Sequence, residues 1–322
     1  MKPKLLWLAG VFLLTACSDL QHLRSDNQLL PVREYEQLIV GRLDANYIGD
    51  ENCLAKCHKH DQIRRDFQRS VHGEQIAQET GLPLVNCESC HGPGSLAVED
   101  DLKEKDRCKF ETLLQLEQLP PQAQSLICLK CHSAASTPAL IFWSASTHAN
   151  NDLSCFDCHE LHQGPQQKVS RQKMDALCFN CHADVRMAFE QFSHHPIPEH
   201  KMACVDCHEP HGSAQDRLLR GSTRKDTCTR CHMEYQGPFV FEHADVTEDC
   251  SNCHVPHGSP NAPLLSSPEP FLCMKCHNGH ASFAIQNAEL KGVFYTRCTD
   301  CHSTIHGTDI PSTRGRGTFI AR

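Results

Sequence analysis

Cys204-Val205-Asp206-Cys207-His208-Glu209-Pro210-His211-Gly212 is the stretch on which the fold turns. Two thiols stand three positions apart, an imidazole follows at once, and a second imidazole comes three residues later, before a glycine. The same order recurs at Cys155-Phe156-Asp157-Cys158-His159-Glu160-Leu161-His162 and at Cys250-Ser251-Asn252-Cys253-His254-Val255-Pro256-His257-Gly258. Working outward, the five-residue core appears again as Cys87-x-x-Cys90-His91, Cys128-x-x-Cys131-His132, Cys178-x-x-Cys181-His182, Cys228-x-x-Cys231-His232, Cys273-x-x-Cys276-His277 and Cys298-x-x-Cys301-His302. A further copy, Cys53-Leu54-Ala55-Lys56-Cys57-His58, has one extra residue between its cysteines. Random placement of this composition gives roughly 0.1 regular copies, so nine are a design.

The spacing has a chemical reason. One helical turn presents both sulfurs to the two vinyl groups of a haem, and the next residue turns its imidazole under the ring to the iron. A disulfide framework explains paired cysteines but not the histidine. Zinc ribbons place their histidines at a distance, and a redox Cys-x-x-Cys occurs once beside a strand and helix. The motifs therefore predict ten c-type haems, with proximal ligands His58, His91, His132, His159, His182, His208, His232, His254, His277 and His302.

Composition agrees. The 322 residues include 22 Cys and 23 His but only 14 Phe, 4 Tyr and 2 Trp. With 39% hydrophobic residues, the polypeptide builds no core of ordinary density for its length, and porphyrin is expected to fill the middle. The expected fold is a multihaem cytochrome c, in which short helices and loops wrap around a linear haem array with little or no sheet. Glu111 to Leu119 is the longest expected helix, ended by Pro120-Pro121. A net charge of -8 argues against a nucleic-acid partner.

The remaining histidines supply the far face of each iron. A histidine three residues beyond the proximal one cannot swing round its own haem, so His162, His211 and His257 are expected to reach a neighbouring one. Upstream histidines recur as His148, His194 and His243, and the partial repeats add His72, His280 and His306. His60 is taken as the tenth distal ligand, with His195 as the other candidate; His22 and His200 have no counterparts and are read as non-ligands. Methionine occupies no recurring place, so the irons are expected to be bis-histidine, saturated and of low potential. An enzyme of the nitrite, hydroxylamine or sulfur-oxyanion class needs an open iron, and the ligand count leaves room for one at most. A soluble periplasmic electron shuttle is the third reading.

At the N-terminus, Lys2 and Lys4 precede an apolar run from Leu5 to Leu14, too short to span a bilayer and laid out like an export signal over residues 1–16. Leu13-Leu14-Thr15-Ala16-Cys17 has the form of a lipobox, with Cys17 the lipidated residue. Residues 17–48 read as a tether, 49–307 as the haem-bearing domain and 308–322 as an extended tail. Cys108, in the haem-free insert 95–127, reads as a bystander thiol.

The ten motifs, the Cys-His-x-Pro-His-Gly strings and the ending Arg297-Cys298-Thr299-Asp300-Cys301-His302-Ser303-Thr304-Ile305-His306-Gly307 resemble the MtrA/DmsE-type decahaem cytochromes. The resemblance implies a wire inside an outer-membrane β-barrel porin. It would carry electrons between periplasmic or inner-membrane c-type cytochromes and an extracellular multihaem cytochrome or terminal reductase. The implied place is the periplasmic side of the outer membrane. The irregular first motif and the lipidated leader depart from the family pattern.

Overall fold

A computed structural model describes residues 37–59, 62–81, 84–98, 108–162, 171–243, 248–277 and 297–311. Among these residues there is no strand, only five isolated bridges, and the longest helices, Pro121–Leu129 and Arg171–Phe179, have nine residues each. No helix among them is long and apolar enough to cross a membrane.

Two kinds of motif alternate. In one, a helix runs into the cysteines: Pro121–Leu129 holds Cys128, Arg171–Phe179 holds Cys178, Arg224–Thr229 holds Cys228 and Phe271–Met274 holds Cys273. Two of these starts are built from local chemistry. Pro121 sits where its missing N–H costs nothing, and Thr223 accepts from the Asp226 amide at 3.0 Å while Asp226 takes the Thr223 amide in return. The other kind is a single tight turn, as in Cys155–Asp157, Cys204–Cys207, Cys250–Asn252 and Cys298–Asp300. There Asp157 and Asp206 reach back to the amides of Ser154 and Ala203, at 2.6 and 2.8 Å, so these two Cys-x-Asp-Cys motifs carry their own caps. In eight regular motifs of both kinds the histidine N–H donates to the first cysteine's carbonyl at 2.8–3.0 Å.

The helix expected over Glu111–Leu119 does not form. Two short 3-10 turns, Phe110–Thr112 and Leu116–Gln118, replace it, because the Gln115 amide bonds the Phe110 and Leu113 carbonyls and Pro121 begins a helix instead of ending one.

The described residues form two compact units: 37–59 with 86–98 and 108–119, and 62–81 with 84–85 and the described residues from 120 to 311. In the first, the end of the expected tether is structured against the second motif. Buried Glu88 accepts the amides of Ile48 at 2.9 Å, Gly49 at 2.8 Å and Gly94 at 2.9 Å. One carboxylate thus satisfies three backbone donors, with charge-assisted bonds roughly twice as strong as neutral ones. Glu88→Gln keeps the size but offers one acceptor oxygen, and is expected to remove about 2–4 kcal/mol from the unfolding of this unit. A denaturant midpoint equal to the parent's would refute that role.

In the second unit, glycines after the downstream histidines let chain cross chain. A Cβ on Gly212 (φ +117°) would sit 2.5 Å from the Phe142 carbonyl oxygen, and one on Gly258 would fall on the carbonyl of Ala188. The apolar core is thin: eleven described hydrophobic side chains are buried, whereas nineteen large ones are exposed. Several exposed ones adjoin the motifs, among them Leu126, Leu177, Met233, Val255 and Met274, a surface suited to a flat apolar macrocycle.

Candidate haem-iron centres

Seven proximal histidines each face a second imidazole. Ring centroids are 5.9 Å apart for His132 and His72, 6.2 Å for His182 and His148, and 6.1 Å for His159 and His211. They are 6.3 Å apart for His232 and His195, 6.0 Å for His208 and His257, 5.7 Å for His277 and His243, and 6.1 Å for His254 and His306. Two imidazoles sharing one metal, each nitrogen roughly 2 Å from it, have centroids about 6 Å apart. The residues therefore fit an axially saturated iron at each pair.

The outer nitrogen of several rings is fixed as well. Nδ1 of His148 lies 2.9 Å from the Pro210 carbonyl, and that of His195 2.7 Å from the Pro256 carbonyl. On the proximal side, His208 meets the Arg217 carbonyl at 2.8 Å and His254 the Pro263 carbonyl at 2.9 Å. A carbonyl only accepts, so Nδ1 carries the proton and Nε2 keeps the lone pair a metal needs. Arg217 and Pro263 lie outside every Cys-x-x-Cys-His motif. Their signal is a second repeat, His211-Gly-Ser-Ala-Gln-Asp-Arg-Leu-Leu219 against His257-Gly-Ser-Pro-Asn-Ala-Pro-Leu-Leu265, whose chain folds back so that Leu219 bridges His208 and Leu265 bridges His254.

Burial first, and then the imidazole opposite, hold His72, His159, His257 and His306 below the ordinary imidazole range. These rings stay neutral at neutral pH, the form that ligates.

His194, expected as a distal ligand, is placed differently. Its Nδ1 lies 2.6 Å from the Gln191 carbonyl and its Nε2 3.1 Å from the Glu199 carboxylate. The carbonyl and then the carboxylate hold its pKa above the usual range, so both nitrogens are engaged and the ring favours a proton. His195 takes the position opposite His232. The spacing already leaned this way: His148 and His243 stand seven residues before their motif's first cysteine, His195 nine and His194 ten. His200 lies 3.4 Å from buried Asp175.

The downstream histidines skip a motif. His211 follows the motif of Cys204 yet faces His159; His257 follows that of Cys250 yet faces His208; His306 follows that of Cys298 yet faces His254. Upstream histidines reach forward, His148 across the motif of Cys155 to His182 and His243 across that of Cys250 to His277. His58, His91, His162 and His302 are described but not among the seven pairs; His60, His280 and Cys17 lie outside the described residues.

The thiols show the same order. First cysteines meet in twos through their sulfurs: Cys53 with Cys87, Cys128 with Cys155, Cys178 with Cys204, Cys228 with Cys250 and Cys273 with Cys298. Between these twos, Cys158 lies in the field of Cys178 and Cys181, Cys207 in that of Cys231, and Cys253 in that of Cys276. The eight motifs of the second unit thus follow one another without a gap. In the first unit Cys57, expected as a haem thioether, is joined to Cys108, read as a bystander. One sulfur cannot make both bonds.

Residues 148–187, 194–237 and 243–282 each match the doubled CXXCH motif family, three units of two motifs apiece. Over 280 residues, 82% of this chain and 80% of the relative, the sequence is 33% identical to the multiheme cytochrome MtrA of Shewanella baltica (strain OS185). This chain belongs to the MtrA family of multihaem cytochromes. It is a c-type cytochrome, and the short-helix, sheet-free architecture of the described residues is that of a multihaem cytochrome. Electron transfer is the activity that family membership gives it.

Proposed function

We propose that the chain is a ten-haem wire that carries electrons across the outer membrane, held inside a β-barrel porin. It exchanges electrons with periplasmic or inner-membrane c-type cytochromes at one end and with an extracellular donor or acceptor, a multihaem cytochrome or terminal reductase, at the other. The observation that carries this reading is the gapless succession of motifs, seven of whose proximal histidines face a second imidazole. When bound, each haem supplies a one-electron couple at a saturated iron, which changes charge without exchanging ligands. The chain's own part is to hold the irons in file, fix their imidazoles through backbone carbonyls and leave no open coordination position for a substrate. That makes it a carrier and not an enzyme.

The distal set of this reading is His72, His148, His195, His211, His243, His257 and His306 on geometry, with His162, His60 and His280 completing it on recurrence and count. The layout of residues 1–16 and the lipobox at Cys17 favour export and a lipid anchor on the periplasmic side of the outer membrane. A hydrocarbon layer of roughly 30 Å with no mobile carrier across it is what a file of haems solves.

The test is purification from detergent-solubilised membranes. A β-barrel is expected to come with the protein, and the complex in proteoliposomes is expected to reduce an enclosed acceptor from an external donor. Spectra should be wholly low-spin. A chain that elutes alone from the soluble fraction, or a high-spin iron that turns over a small oxyanion, would overturn the conduit.

A further inference from the structure

We propose that Cys57 and Cys108 form a disulfide in the mature protein, and that the first haem is held by one thioether, at Cys53, with His58 as its proximal ligand. The proposal rests on the ten-haem reading for the existence of a haem at this motif, and on three local observations for how it is held.

The first is the pairing itself. Cys57 is bonded to Cys108 across 51 residues, which withdraws its sulfur from any vinyl group. Apart from Cys17 and the motif cysteines, Cys108 is the one cysteine in the chain, so the disulfide also gives a partner to a thiol that the motif arithmetic leaves over.

The second is how the extra residue is absorbed. In the regular motifs the histidine N–H reaches the first cysteine's carbonyl four residues back. In the first motif the His58 N–H reaches the Cys53 carbonyl at 3.0 Å although it lies five residues on, and the Cys57 N–H shares that carbonyl at 2.9 Å. The added residue is taken up within the turn that ends the helix Asp50–Lys56, as in a single widened turn. Cys53 and His58 keep the relation seen elsewhere, and Cys57 is the residue displaced.

The third is the contact of Cys53 with Cys87. It repeats the sulfur contact between first cysteines at the other four couples of motifs. Cys53 and His58 are therefore placed as haem-binding residues, while Cys57 is not.

The chemistry balances. The Cys53 S–H adds across one vinyl group, sulfur bonding to one vinyl carbon and hydrogen to the other, with no outside oxidant, and the second vinyl stays intact. Cys57 and Cys108 each lose a proton and together two electrons. These pass to the disulfide of a thiol–disulfide oxidoreductase of the export compartment, which leaves as a dithiol.

The experiment uses the full-length holoprotein, digested without reduction and read by mass spectrometry. The peptide bearing Cys53 should carry one haem and be cross-linked to the peptide bearing Cys108. Iodoacetamide should label neither Cys57 nor Cys108 before reduction and both after it. The pyridine haemochrome spectrum should show a longer-wavelength shoulder from one residual vinyl group. In Cys57→Ser the haem should remain on the Cys53 peptide while Cys108 becomes open to labelling; in Cys53→Ser that one haem should be lost. Labelling of Cys108 in the unreduced parent, loss of haem from the first motif in Cys57→Ser, or a Cys53 peptide without haem would each overturn the proposal. The nine regular haem peptides in the same digest report separately on the rest of the array, so a failure there counts against the ten-haem reading instead.

Discussion

Replacing His195 by Ala turns one iron, that of the Cys228, Cys231 and His232 site, high-spin, while His194→Ala leaves every iron low-spin. The two residues are neighbours in sequence, yet their surroundings differ in kind. His195 faces His232 at 6.3 Å, and its Nδ1 is anchored on the Pro256 carbonyl, so its Nε2 keeps the lone pair a metal needs. His194 spends both nitrogens on Gln191 and Glu199 and is held toward its protonated form. Removing a sixth ligand opens a coordination position and converts about one haem's worth of signal, with a rise in the potential of that site alone. Low-temperature electron paramagnetic resonance on the two variants decides the matter. A high-spin signal in His194→Ala, or none in His195→Ala, would reverse the assignment.

Gly258→Ala is expected to be the most damaging small substitution in the second unit. A Cβ there would lie on the Ala188 carbonyl, 2.6 Å from its carbon, and both groups are backbone, so a side-chain rotation offers no relief. The cost falls on neighbouring bonds: Ser193 and Ser259 exchange amide-to-carbonyl bonds of 3.0 and 2.8 Å, and His257, one residue earlier, faces His208 at 6.0 Å. A loss of about 2–4 kcal/mol is expected, the usual range for forced overpacking with a backbone shift, together with a high-spin fraction at the Cys204 and Cys207 site. Gly81→Ala is the control. Nothing lies within 4 Å of a Cβ at 81, so only its positive φ is penalised, about 1–2 kcal/mol, and the spectrum should not change. Equal melting and equal spectra for both variants would show that the crossing at Gly258 does not position His257.

What could be read from the residues alone follows the range of the chemistry. Cys-x-x-Cys-His is complete within five residues, so the haem motifs and the two alternating motif types stand out without coordinates. That His211 must serve another iron follows from its distance to His208, but that it skips a motif to face His159 depends on the crossing at Gly212, which only the folded chain makes. That His195 and not His194 faces His232 rests on the Gln191 carbonyl and the Glu199 carboxylate, which together occupy both nitrogens of His194. Glu111–Leu119 reads as a helix, yet the Gln115 side chain bonds backbone carbonyls that a helix would use. The Cys57–Cys108 bond joins residues too far apart in sequence for a motif search to connect.

The skipping of motifs gives the chain a direction in time. A polypeptide is made from its N-terminus, so His132, His182, His232 and His277 find their opposite imidazoles in His72, His148, His195 and His243, chain that is already made. His159, His208 and His254 must wait for His211, His257 and His306, about fifty residues behind them on an emerging chain. Alternate sites are thus closed late, each by the histidine after the second motif to follow. A chain halted between His232 and His243 would have the last unfinished of these positions at His208, so the open position near the tip of the growing wire moves forward two motifs at a time.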